Sequence, residues 1–119
     1  DKVINLLNHQ EIDVRINAIK TLQTIDNSTT MDTLIEIYPK QENLIKVEII
    51  KFINRTGDKS QMPFIKDILE KERDIYILIE VVNLLKKFND YTHLQEKATD
   101  INLDSKLLTV IKNALHSKL

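Results

Sequence analysis

The residues able to do chemistry are few and scattered. The three histidines, His9, His93 and His116, are separated by long stretches of chain. None is read with a second histidine or a carboxylate at metal-ligand spacing on one helix face, and no His-Glu-x-x-His signature occurs. Glu70 with Glu72, or Asp67 with Glu70, has the composition of an acid–base pair. Lys66, Lys71 and Arg73 flank them, so the expectation is a solvated charge network, not a desolvated pocket that tunes carboxyl pKa values. The serines Ser28, Ser60, Ser105 and Ser117 fall where helices begin or end. There is no cysteine, which removes thiolate nucleophiles, thiolate metal sites and disulfides. A single glycine, Gly57, cannot build a glycine-rich phosphate loop. No catalytic, cofactor-binding or metal-ligating residue is assigned, no cofactor is expected, and the chain is expected not to be an enzyme.

Composition points to what must position any functional surface. Of 119 residues, 42% are hydrophobic and 29% charged, a balance that suits a folded domain with an apolar core. One glycine and two prolines, Pro39 and Pro63, are too few for the turns of a β-sandwich or a dinucleotide-binding fold. Abundant Leu, Ile, Lys and Glu favour helices. The formal net charge is -1, so no basic excess draws the chain to nucleic acid or anionic lipid. The apolar run Ile75 to Ile79 falls far short of the about 18 residues of a membrane span. A cytoplasmic setting is therefore expected, unless a signal or anchor precedes Asp1.

The chain repeats itself. Shifted by about 31 positions, Met31 to Glu42 falls on Met62 to Arg73, aligning Met31 with Met62, Leu34 with Ile65, Ile37 with Ile68 and Tyr38 with Leu69. The N-terminus joins the same register, with Val3, Leu6 and Leu7 on Leu34, Ile37 and Tyr38. Between these segments run Val14 to Asp26, Ile45 to Gly57 and Ile77 to Asn89, the last after one inserted residue. A weaker copy spans Lys106 to Leu115, with an expected core column of Lys106, Val110 and Ala114. Ile45, Ile49, Ile50 and Ile53 show the i, i+4, i+5, i+8 spacing of one helix face, as do Ile77, Val81, Val82 and Leu85. Asp26-Asn27-Ser28, Gly57 to Ser60 and Asn89-Asp90 punctuate the pattern. There Gly or Asn should end a helix in the left-handed conformation, and Asp or Ser should cap the next.

Eight helices follow, over residues 2–9, 12–25, 30–39, 43–56, 61–71, 74–88, 91–100 and 104–117. Short connections make neighbours antiparallel, and each amphipathic pair must stack on the next to bury its face. The domain reading is one repeat domain over 1–119. It comprises the second helix of a partial repeat (1–11), full repeats at 12–41, 42–72 and 73–102, and the first helix of another partial repeat (103–119). Because the pattern opens in mid-pair, a segment of a longer chain is expected.

Two stretches resemble a known family. GDKSQMPFIKDIL, Gly57 to Leu69, is similar to the Gly-Asp turn, apolar-Pro pair and second helix of the short bacterial HEAT-like repeats called PBS-lyase-type. DVRINAIKTL, Asp13 to Leu22, resembles their first helix. The resemblance implies an all-α fold, an α–α superhelix built as a right-handed solenoid of antiparallel helix pairs of the armadillo-like kind. In that family the Asp-x-Arg of Asp13 and Arg15 supports packing between successive repeats. Bulkier residues here, Ile49 and Val81 where the family has Ala, depart from the pattern. Tetratricopeptide and ankyrin repeats, with periods of about 34 and 33 residues, lack their signature residues in this chain.

In such a stack the second helices line the concave face, the usual binding surface of solenoids. The positions there off the apolar stripe are Thr33, Glu36, Lys40, Phe64, Asp67, Lys71, His93 and Glu96, and these are the candidate partner-binding residues. Phe64 is either a binding anchor or a packing residue against a neighbouring repeat. The implied function is a non-catalytic protein–protein interaction or scaffold module with a protein partner. No nucleic acid, membrane contact or small-molecule substrate is expected. The alternative is a structural or regulatory segment of a larger multidomain or membrane-anchored protein. The family also includes proteins resembling bilin chromophore lyases and alkylated-DNA glycosylases, a less favoured enzymatic reading: the basic stripe and stacking aromatics of a DNA reader are absent, and a lyase should hold a large apolar cleft.

Overall fold

The structure of the chain, a computed structural model, describes residues 5–22, 24 and 28–116. Among these it is all helical, with no strand: α1 (Ile12–Leu22), α2 (Ser28–Ile37), α3 (Asn43–Thr56), α4 (Met62–Lys71), α5 (Ile75–Lys87), α6 (Tyr91–Ala98) and α7 (Ser105–His116). Short 3-10 turns occupy Leu6–Asn8, Tyr38–Lys40 and Lys59–Gln61. Two compact units, Asp1–Asp58 and Lys59–Leu119, make up the chain.

In the first unit α1 packs along α3 and along the Leu6–Asn8 turn, while α2 and the Tyr38–Lys40 turn pack on α3. Helix α3 carries four isoleucines, residues that on their own favour strands, yet Ile45, Ile49, Ile50 and Ile53 are all buried. Burial of that face outweighs the small penalty of β-branching in a helix. The two 3-10 turns are repeat-equivalent. Leu7 and Tyr38 are their buried residues, and the N–H of His9 and of Gln41 closes each turn on the carbonyl of Leu6 and of Tyr38. Pro39 explains why α2 stops being α-helical here, since it lacks the N–H and its ring clashes with the preceding turn. Of the helix expected over 2–9, Asn5 is helical and Leu6–Asn8 form a 3-10 turn, while residues 2–4, Val3 among them, lie outside the described residues. Thr30 is buried, and its hydroxyl has no hydrogen-bond partner among the described residues.

In the second unit α5 is the hub, packing against α4, α6 and α7, and α6 also packs on α7. Asp74 starts α5 by accepting hydrogen bonds from the N–H groups of Tyr76 and Ile77 at 3.0 and 3.1 Å, satisfying two donors that the first turn leaves open. Asp104 does the same for α7 through Lys106 and Leu107. Pro63 sits in the first turn of α4, where its missing N–H is harmless.

Three expectations need correction. The core column of the last copy is Leu107, Ile111 and Ala114, not Lys106, Val110 and Ala114: Lys106 is exposed and Val110 only half-buried. The adjacent apolar pairs Leu107-Leu108 and Val110-Ile111 permit two registers, and packing on α5 and α6 selects the more apolar one. Gly57 is extended, at φ -80 and ψ 173, not left-handed. Its N–H donates to the Ile53 carbonyl at 2.7 Å, so α3 finishes with an ordinary helical bond before the chain turns away. Asn89 does adopt the left-handed conformation, at φ 58, while Asn27 lies outside the described residues. Finally, Asp90 stands three residues before His93 and pairs with it, so His93 does have a carboxylate at helical spacing.

Candidate functional site

The eight candidate residues divide between the units. In the first, Thr33 and Glu36 lie on α2 and Lys40 on the turn that follows it; Glu36 and Lys40 are exposed and Thr33 is half-buried. In the second, Phe64, Asp67 and Lys71 share one face of α4 at i, i+3 and i+7, and His93 and Glu96 lie on α6. Asp67, Lys71 and Glu96 are exposed; Phe64 and His93 are half-buried. Thr33 and Phe64 both make interactions of their own.

Two of the candidates are joined directly: Lys71 Nζ lies 3.0 Å from Asp67 Oδ1 on the surface of α4. Lys66, read from the sequence with the same charge network, turns instead to Asp90, with Nζ 3.4 Å from Oδ2. The other oxygen, Oδ1, is 3.3 Å from His93 Nδ1. Asp90 thus clips α4 to the start of α6. It holds the N-cap position of α6 yet makes no capping bond, because its oxygens point to Lys66 and His93. Burial pushes its carboxyl pKa upward, the largest single influence, but the hydrogen bonds from His93 and Lys66 and their charges together hold it below its ordinary value.

Beside this clip is a cleft of about 220 Å³ lined by Lys59, Met62, Phe88, Asn89, Asp90 and Thr92. Sequence reasoning missed it, having taken Asn89 and Asp90 only as punctuation. Asn89 signalled only the turn at the end of α5, since Asn tolerates the left-handed conformation there.

Arg15 has a structural place. It pairs with Glu42, which precedes α3 in the next repeat, and its Nη1 donates to the His9 carbonyl at 3.1 Å. Asp13 is exposed and outside this pair. Lys46, one repeat on from Arg15, likewise reaches back to a 3-10 turn, with Nζ 5.2 Å from the Tyr38 ring centroid.

Among the described residues no group of three or more His, Cys, Asp or Glu side chains is placed to hold a metal ion. No helix among them is long and apolar enough to cross a membrane. A family model described as HEAT repeats matches residues 1–94. Neither the curated proteins nor the solved structures yield a match to the chain.

Proposed function

Because the chain belongs to the HEAT-repeat family, whose members commonly mediate protein–protein interaction or scaffolding, we propose that it is a non-catalytic module that binds a protein partner through the exposed faces of its second helices. The observation that carries this reading is the family match over residues 1–94. On α4 and α6 it is supported by the exposed Asp67, Lys71 and Glu96 beside the half-buried Phe64. A partly exposed aromatic ringed by charge is the composition of an interface anchor with a polar rim. The working unit in this proposal is the full repeat, at 12–41, 42–72 and 73–102, within one domain.

The test is retention of a partner from the source cell's lysate by immobilised residues 1–119. A Phe64→Ala, Asp67→Lys double variant should lose it. Because Phe64 is half-buried, an Asp67→Lys, Glu96→Lys variant is the companion, since both positions are exposed and the fold should survive. Retention of the same proteins by all three chains sinks the proposal and favours a structural or regulatory segment.

A further inference from the structure

We propose that the cleft between the start of α4, the end of α5 and the start of α6 receives one acidic side chain, Asp or Glu, of the protein partner; the inference rests on the interaction reading above. Size argues first. At about 220 Å³ the cleft is below the roughly 300–1,000 Å³ of sites that enclose a small molecule, but it suits one residue of a docked chain. Its chemistry argues second. The lining is mostly polar, with Lys59, Asn89 and Thr92 exposed at the rim, and the buried Met62 and half-buried Phe88 add a smaller apolar patch. Only two lining residues carry charge, Lys59 and Asp90. Asp90 is matched on both oxygens by His93 and Lys66. Lys59, Asn89 and Thr92 have no side-chain partner among the described residues. What the cleft offers a visitor is therefore one ammonium, an amide and a hydroxyl beside a small apolar patch.

The rim is also set in place before binding. The N–H of Asn89 donates to the Lys86 carbonyl at 3.0 Å, and that of Asp90 to the Leu85 carbonyl at 2.9 Å. These paired bonds around a left-handed residue fix the end of α5 and the direction of Asn89. A side chain that brings a carboxylate on a short methylene stem satisfies both the polar rim and the small apolar patch. A nucleic-acid phosphate does not: it is polar on every side, and such binding draws its strength from many cations acting together, whereas the lining supplies one.

The experiment is an amide ¹H–¹⁵N titration of residues 1–119 with the peptide Ac-Ala-Phe-Glu-Ala-NH2, with Ac-Ala-Phe-Gln-Ala-NH2, and with sodium phosphate. The Glu peptide should give saturable shifts centred on the amides of Asn89, Asp90 and Thr92. The Gln peptide, and the Glu peptide against Lys59→Gln, should bind at least about threefold more weakly, the scale of an exposed ion pair. No saturable shift, equal binding of both peptides, an unaffected Lys59→Gln variant, or phosphate shifts matching those of the Glu peptide would each overturn the assignment. A partner that Lys59→Gln retains but Asp67→Lys, Glu96→Lys loses refutes the cleft alone. A chain that retains no partner refutes the reading beneath it.

Discussion

Arg15 and Glu42 share an ion pair across 27 residues of sequence, and its two halves live in different surroundings: the arginine side chain is 13% exposed, the glutamate 58%. The Coulombic part of such a pair is largely spent in water. Arg15 matters more as a strut, its guanidinium also tied to the His9 carbonyl. Its Nε has no partner among the described residues, so the arrangement carries an unmet donor as well. Arg15→Ala should cost about 1 kcal/mol in urea unfolding, and Glu42→Gln about half of that or less. Arg15→Met, which keeps the stem and removes the unmet donor, should fall between them.

The Asp90 clip predicts an acid-sensitive contribution to stability. The folded carboxyl titrates below its ordinary value of 3.8, so ionised Asp90 stabilises the fold fully above that value. The contribution is lost as pH falls through the lower, folded pKa. In urea midpoints measured from neutral pH downwards, Asp90→Asn should be less stable than the parent near neutrality. The gap should narrow below about pH 3.8. A gap that stays constant down to the acid limit would contradict the clip.

Ile49 and Leu44 lie on the same helix but at opposite extremes, 0% and 63% exposed. Ile49→Ala should cost about 2–5 kcal/mol by lost burial and the cavity left behind. Leu44→Ala should stay within about 0.5 kcal/mol. Thermal unfolding of the two variants side by side separates the core of α3 from its solvent face.

Thr30 offers a stabilising change. Its hydroxyl is buried without a partner among the described residues, and valine has nearly the same shape. Thr30→Val should raise stability by about 1 kcal/mol, the lower end of what an unmet buried polar group costs. An unchanged or lower unfolding midpoint would mean that the hydroxyl has a partner in solution.

The helices with the strongest periodicity were legible in the sequence. The range 43–56 was read to the residue because isoleucines recur on one face with no glycine or proline between them. Helix α5, expected over 74–88, runs from Ile75 to Lys87, with Asp74 as its N-cap. The register of α7 was not legible, since two neighbouring apolar pairs fit the same spacing and only the packed partners choose between them. The candidate surface was legible as a face, because off-stripe positions follow from helical geometry alone. The cleft and the Asp90 clip were not. They depend on where α4, α5 and α6 meet, and no spacing along one helix encodes that meeting. Lys66 illustrates the point: its helical neighbours suggested local pairing, and it chose a carboxylate from another helix instead.

The buried positions Ala18, Ile49, Val81 and Ile111 mark one place in four successive copies, yet the spacing between them is uneven: the second interval is one residue longer than the first, and the third is two shorter than the second. Each helix keeps its own face buried regardless. The bends between helices therefore act as slack, taking up added or missing residues so that the error does not propagate down the chain. A protein made this way tolerates editing at its corners far better than along its rods, and whole copies could be added or removed at a bend without rewriting the helices on either side.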